Sequence, residues 1–321
     1  MEPGAPATAA MSVDRTLRVG VVGLGRWGGN LLRDLHDADR CTVDAICDRD
    51  EGVLSSRAAR YGAARPTTDV ADLMTDPSLD AIVIATGGAT HAGLARRALD
   101  AGKHVFVEKP PALRTSDARE LHELAQRRGL RLMVGHLMQY HPAVGALAEA
   151  VRRGDLGPLR RVDTVRMNPA PGPADGDPWW SLGPHDVSVA CRLFRASPRR
   201  VSAMRFGENG VRAVLAFADG RACLRVAFGS RAKIRRVRVE GALGVARFDD
   251  VRSPPLRRLT GTATTPTHGL GLPLALEVKH FVDGVLDGAP IRSDGADAVR
   301  IVRILEAVDR ALETGEPVPV G

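Results

Sequence analysis

The sequence predicts an α/β protein: a doubly wound parallel Rossmann sheet in the first half, and an α+β unit on a large, open, mostly antiparallel sheet in the second. Three observations carry that prediction. From Leu17 onward short apolar runs alternate with longer amphipathic ones, as a parallel sheet with helices on both faces requires. The first run leads directly into Gly23-Leu24-Gly25-Arg26-Trp27-Gly28 and an apolar helix. Beyond Gly135 the texture changes to loosely alternating strands flanked by helices. A length of 321 residues suits two domains, read as 15–137 and 138–321 behind an Ala/Pro-rich leader, 1–14, expected to be disordered.

The strand candidates of the first half are Leu17 to Val22, Val43 to Cys47, Ala81 to Ala85, His104 to Val107 and Arg131 to Val134. Each is β-branched or Leu-rich and short enough for a buried parallel strand. Helices fill the gaps. Thr115 to Arg128 shows the pattern, with Ala118, Leu121, Leu124 and Ala125 on one face and Gly129 as the stop. In the second half a helix is expected from about Pro142 to Arg153, a strand from Leu159 to Met167, and a Pro/Gly-rich loop from Asn168 to Pro178. Trp179 to Phe194 reads as helical, with Gly183-Pro184 restarting it. Val201 to Leu259 supplies strands separated by turns at Glu208-Asn209-Gly210, Asp219-Gly220 and Gly241 to Gly244. Helices over Leu274 to Leu286 and Gly295 to Leu312 close the chain.

Composition narrows the function classes. With 44% hydrophobic and 26% charged residues the chain is neither disordered nor collagen-like. Basic residues outnumber acidic ones 45 to 38, and they divide into 41 Arg and 4 Lys. Codon usage in a GC-rich genome accounts for that skew, since Arg replaces Lys wherever only a surface cation is needed. Each surviving lysine therefore merits individual attention. The net charge of +7 suits phosphate-bearing small molecules, and by itself suits nucleic acid or an anionic membrane equally well. Cys41, Cys47, Cys191 and Cys223 form no CxxC pair and lie in apolar stretches, as expected of reduced thiols in a cytoplasmic protein. The histidines form no HExxH, so no metal is expected.

The glycine loop follows a strand and opens a helix. That context lets backbone N–H groups approach a pyrophosphate at the helix N-terminus. Twenty residues past Gly28, Asp48 ends the second strand, where an acid binds the ribose 2′-OH of an adenosine. Asp48 repels a 2′-phosphate and favours NAD; the adjacent Arg49 could tolerate NADP. Further on, Glu108-Lys109-Pro110 places one of the four lysines at the carboxyl end of a parallel strand, the ligand edge of such a sheet. A buried lysine can lose its proton and an arginine cannot, so a titratable amine there resists the Arg drift.

Ala85-Thr86 through Thr90-His91, Ala101-Gly102-Lys103-His104 and Glu108-Lys109-Pro110 resemble the Gfo/Idh/MocA oxidoreductases, the glucose–fructose oxidoreductase and inositol dehydrogenase relatives. The likeness extends through Gly135-His136 and Tyr140-His141-Pro142 to the terminal helices. It implies that Lys109 holds and polarises the reacting hydroxyl and that the Lys109-Pro110 bond is cis. It also implies that Thr86, His91 and Glu108 line the dinucleotide. Trp179-Trp180-Ser181-Leu182-Gly183-Pro184-His185-Asp186 looks like the family's Asp-x-x-x-His element, which makes His185 the acid/base. Pro184 at a first helical position puts His185 in a first turn, where the helix dipole keeps the ring neutral. Ser181 stands where relatives carry the aspartate, so His185 is a weaker base, borrows Asp177 or Asp186, or has lost the role.

The resemblance also places Tyr140, Arg166 and Asn168 around the substrate. Trp180, with Trp179, suits either stacking on a sugar ring or anchoring a loop. Arg231 to Arg238 holds five cations without interleaved aromatics and belongs to a strand, which suits a solvated or subunit-facing sheet better than nucleic acid. The expected function is hydride transfer between NAD(P) and a secondary alcohol or ketone of a sugar. The substrate reads as C3 of a nucleotide-linked sugar, or as an aminoglycoside sugar, aminocyclitol or inositol in an antibiotic pathway. A non-catalytic sugar- or NAD-binding relative is the reading from another class. A homodimer or homotetramer is expected, with no nucleic acid or membrane partner.

Overall fold

The computed structural model describes residues 15–62, 64–172, 176–251, 256–258 and 272–321, so the expected leader lies outside the described residues. In the first half the chain runs β1 (Leu17–Val22), α1 (Arg26–His36), β2 (Cys41–Cys47), α2 (Glu51–Tyr61), β3 (Arg65–Thr67), α3 (Val70–Thr75) and β4 (Ala81–Ile84). It continues with α4 (Gly88–Asp100), β5 (His104–Glu108), α5 (Thr115–Arg128) and β6 (Leu132–Gly135). Five of these strands are the apolar runs of the sequence. The sixth, β3, is a three-residue edge strand with two exposed positions, too short and polar to show a period.

These strands pair in parallel in the order β3-β2-β1-β4-β5-β6. The order reverses between β1 and β4, which opens a crevice at their carboxyl ends. Leu31, Leu32 and Leu35 of α1 pack on one face of the sheet, and Leu99 of α4 and Leu121 of α5 on the other. Gly129 ends α5 in the left-handed region at φ 66°, as the sequence predicts.

A 3-10 turn at Leu137–Gln139 leads to α6 (Pro142–Arg152), β7 (Leu159–Met167), α7 (Pro178–Phe194), β8 (Arg200–Phe206), β9 (Gly210–Ala216) and β10 (Arg221–Ala227). Then come β11 (Ile234–Gly241), β12 (Val245–Asp249), β13 (Leu256–Arg258), α8 (Pro273–Leu286), α9 (Gly295–Thr314) and β14 (Val318–Pro319). The second sheet has the order β13-β12-β11-β7-β10-β9-β8-β14, and of its described pairings only β7–β10 is parallel. One face buries Val211, Ala213 and Leu215 against Trp179, Val187 and Leu305 from α7 and α9. On the other face of β9, Arg212 and Ala216 are exposed.

Two features depart from the sequence reading. First, α7 is one helix that runs through Gly183-Pro184 rather than restarting there. Gly183 serves packing, because a Cβ on it would lie 2.8 Å from the Trp179 indole. Pro184 leaves the Trp180 carbonyl without its helical donor, a cost offset by the dense burial of α7 on both sides. Second, the closing helices cross the expected division at 137/138. Leu274, Val278, Phe281 and Val282 of α8 join the core of the first sheet, where Phe281 meets Phe106 edge-on at 5.6 Å. No helix among the described residues is long and apolar enough to cross a membrane.

Candidate active site

At the end of β1 the chain turns through Gly23, whose φ is 88° and whose amide donates to the Cys47 carbonyl at 2.9 Å. A Cβ on Gly23 would lie 2.8 Å from the backbone of Ala85 and Thr86, and one on Gly28 would lie 1.9 Å from the Gly23 carbonyl oxygen. Gly25 is different. It caps α1 without any side-chain bond and has open space around it. Asp48, at the end of β2, accepts from the Leu24 amide at 2.6 Å and from the Asp50 amide at 3.0 Å, so it ties the loop to the adjacent strand. Arg26 and Arg49 are exposed on either side.

From this loop the Trp27 indole N–H donates to the Glu108 carboxylate at the end of β5. Glu108 is buried, and burial pushes its carboxyl upward while Lys109 pulls it down. The Lys109–Pro110 bond is cis, and the Lys109 ammonium donates to the Ser181 carbonyl at 2.9 Å. That carbonyl lies in the stretch of α7 whose hydrogen-bond ladder Pro184 interrupts. Burial lowers the Lys109 pKa, Glu108 opposes that and Arg166 adds to it.

His185 is the eighth residue of α7, so the expected first-turn dipole does not act on it. Its ring is held neutral by a different cause, since burial first, then Arg166 and Lys109, push its pKa well below the usual histidine value. Nδ1 is buried without a partner among the described residues. Ser181 lies one turn earlier, and its hydroxyl bonds nothing among the described residues. Asp186 turns away to accept from Arg166 Nε at 2.9 Å, and Asp177 caps α7 by accepting from the Trp179 amide. Neither aspartate orients His185. Asn168 accepts through Oδ1 from Arg235, which also donates to the Met167 carbonyl at 2.8 Å.

Three expected ligand contacts are corrected. His91 is buried with Nδ1 at 2.8 Å from the Pro110 carbonyl and Nε2 at 3.0 Å from that of Thr86, so it clamps two turns of the crevice rather than facing a dinucleotide. The Tyr140 hydroxyl bonds Ser293 at 2.8 Å inside the core. The Trp180 indole donates to Asp309 at 2.6 Å and Trp179 to the Leu305 carbonyl at 3.2 Å, so both tryptophans anchor α7 on α9. The Thr86 hydroxyl pairs with that of Thr90 at 2.7 Å.

The sequence reading did not single out two buried groups nearby. His136 Nδ1 meets Asp297 at 3.0 Å, while its Nε2 has no partner among the described residues. Both Glu277 oxygens are buried without partners among the described residues, and burial followed by Glu108 pushes that carboxyl far upward. Glu277 was legible as an acid on the apolar stripe of Leu274, Val278 and Phe281. The His136–Asp297 contact, between distant segments, left no sequence signal.

Residues 17–136 match the oxidoreductase family with an NAD-binding Rossmann fold, Gfo/Idh/MocA. The first domain of the chain is thus similar to that family's NAD-binding Rossmann fold. It is 26% identical to the inositol 2-dehydrogenase of Rhizobium meliloti over 92% of this chain and 97% of that one. It is 24% identical to the D-apiose dehydrogenase of Paraburkholderia graminis over 97% of this chain and 92% of that one. Among solved structures, GenD2 from gentamicin A biosynthesis, in complex with NAD, aligns with a TM-score of 0.84 at 27% identity, covering 99% of both chains.

The glycine-loop crevice fits NAD. Gly25 leaves free the space that a side chain would fill, α1 carries no acid in its first turn, and Asp48 stands at the end of β2. Gly23→Ala is expected to lower stability by about 1–3 kcal/mol, because the new Cβ meets backbone and the residue is forced into a left-handed conformation. Denaturant unfolding measures it, and an unchanged midpoint would contradict the packing described. Asp48→Asn keeps an acceptor for the Leu24 amide and removes the charge that opposes a 2′-phosphate. Affinity for NADP is expected to rise at least about tenfold while that for NAD changes less. Fluorescence titration with both cofactors checks this.

Proposed function

We propose that the protein is an NAD-dependent dehydrogenase of a ring secondary alcohol, with Lys109 and His185 as its catalytic residues. The observation that carries this reading is the Lys109 ammonium reaching α7 at Ser181, one turn from a neutral, half-buried His185, beside the glycine-loop crevice. Bound NAD supplies the hydride acceptor at nicotinamide C4. His185 takes the hydroxyl proton of the substrate as the carbinol C–H bond breaks, and the Lys109 ammonium donates to the oxygen as it gains negative charge. Glu108, held by Trp27, keeps a counter-charge against Lys109. In the reductive direction His185 returns the proton.

For the substrate, the relatives named above support a cyclitol or unlinked sugar ring. A second reading, C3 of a nucleotide-linked sugar, is favoured by charge. Arg166 lowers the pKa of both Lys109 and Arg235, which places three cations about one another, and Asp186 is bound to Arg166. Purified protein with NAD or NADP is offered inositols, amino sugars and nucleotide-linked sugars while reduced nicotinamide absorbance is followed. Turnover of one group selects the reading. No turnover in either direction with cofactor binding intact would overturn the enzyme assignment and leave a binding protein.

The +7 charge and the Arg231 segment do not favour nucleic acid, since Arg236 pairs with Asp249 at 2.9 Å and Arg238 with Glu240 at 2.5 Å within the sheet. We read the chain as a cytoplasmic homodimer or homotetramer joined through the helix-free face of the second sheet. Sedimentation measures its size.

A further inference from the structure

Away from the glycine loop, Lys109 and His185, a cavity of about 310 Å³ opens between the 3-10 turn, the start of α6, the second half of α7 and the outer face of α8. Two guanidinium groups face it. Arg192, two turns beyond His185 on α7, and Arg292, just before Ser293, both donate through Nη1 to one acceptor, the Gln139 carbonyl. Arg292 also lies over the Tyr140 ring, 4.9 Å from its centre. Among the described residues no carboxylate pairs with either guanidinium. Asp283, the one acid among the described residues of the wall, is taken by Lys279, which donates to both its oxygens at 3.0 and 2.7 Å.

One carbonyl cannot offset two adjacent cations, and each guanidinium carries five donors. Burial and the neighbouring Arg292 bring the Arg192 pKa down to about 10, so the fold holds like charges together at a cost. His280 supplies no negative charge. Its Nε2 accepts the Arg292 amide at 3.1 Å, and burial with Arg292 disfavours its charged form. On α6, Gly145 leaves the Arg192 side open, since a Cβ there would stop 3.8 Å short of Nη2. The wall thus offers unfilled donors and three cations against one acid.

We propose that this cavity binds a small oxyanion, a phosphate or carboxylate group, gripped by Arg192 and Arg292. Paired N–H donors from two guanidiniums match the planar or tetrahedral oxygens of such a group. The site is separate from the dinucleotide crevice, and its occupant ties α7, the 3-10 turn and the Arg292 segment together.

The test is thermal unfolding of the full chain with saturating NAD, so that the glycine loop is filled, in inorganic phosphate or acetate against chloride of equal ionic strength. A ligand that binds only the folded state raises the Tm with concentration. The expected result is a saturable rise with phosphate, acetate or both, retained in Lys109→Ala and lost in Arg192→Met and in Arg292→Gln. A rise with phosphate alone identifies a phosphate site, and a rise with acetate alone a carboxylate site. No rise over chloride with either anion, or a rise that survives in Arg292→Gln, overturns the proposal. Arg292 is exposed, so its variant carries the test even if Arg192→Met fails to fold.

Discussion

Lys109→Ala is expected to lower kcat by about 10³-fold while leaving the NAD dissociation constant within about threefold of the parent. The ammonium is the donor that bridges the end of β5 to the Ser181 carbonyl, and the alanine cannot stabilise charge developing on the substrate oxygen. The glycine loop is held by Gly23, Gly28 and Asp48, none of which bonds Lys109, so cofactor binding survives. Lys109→Arg is not expected to rescue, because a guanidinium has a different shape and does not titrate. Steady-state rates with the substrate found above, together with NAD titration, measure both effects. An alanine variant with parental kcat would refute the assigned role.

His185→Gln is expected to cost about 10³-fold in kcat, the scale of a lost general base. The pH profile carries more information. The base form is the neutral ring and its pKa lies well below the usual value, so kcat/KM should fall only as pH drops through that lowered pKa. No inflection is expected near 6.5, where an ordinary histidine titrates. On the alkaline side the protonated Lys109 is required, so activity should fall as pH rises through a value below the ordinary lysine pKa. Ser181→Asp places a carboxylate one helical turn before His185. An anion there favours imidazolium and raises the His185 pKa, which moves the acid limb to higher pH. An unchanged profile would mean that position 181 does not tune the base.

Much of this site was legible because its parts are contiguous. Gly23 to Gly28 and Glu108-Lys109-Pro110 each combine a strand end with the residues that follow it, so local spacing already implied the ligand edge. Single residues fared less evenly. His91, Tyr140 and Trp180 sit within motif segments, yet their polar atoms are satisfied by Pro110 and Thr86, by Ser293 and by Asp309. Which way a side chain turns depends on partners far along the chain, and no local pattern encodes that. The α7 helix illustrates the same limit, since a Gly-Pro pair that breaks an isolated helix persists in one buried on several sides.

Sequence alone determined the doubly wound class, the glycine loop with Asp48, and a titratable lysine at a strand end, because each follows from short-range sterics, backbone hydrogen bonding and apolar periodicity. The special status of lysine in an Arg-rich chain has a sharper meaning in the fold. Lys103 caps the carbonyls of Asp76 and Leu79, Lys279 pairs with Asp283, Lys233 is exposed, and Lys109 alone reaches α7. Tertiary structure decided the rest: that His185 is neutral through burial and neighbouring cations rather than a helix end, that Asp186 serves Arg166, and that Arg192 meets Arg292. Those outcomes depend on charge and desolvation summed over residues far apart in the chain, and only folding brings them within reach of one another.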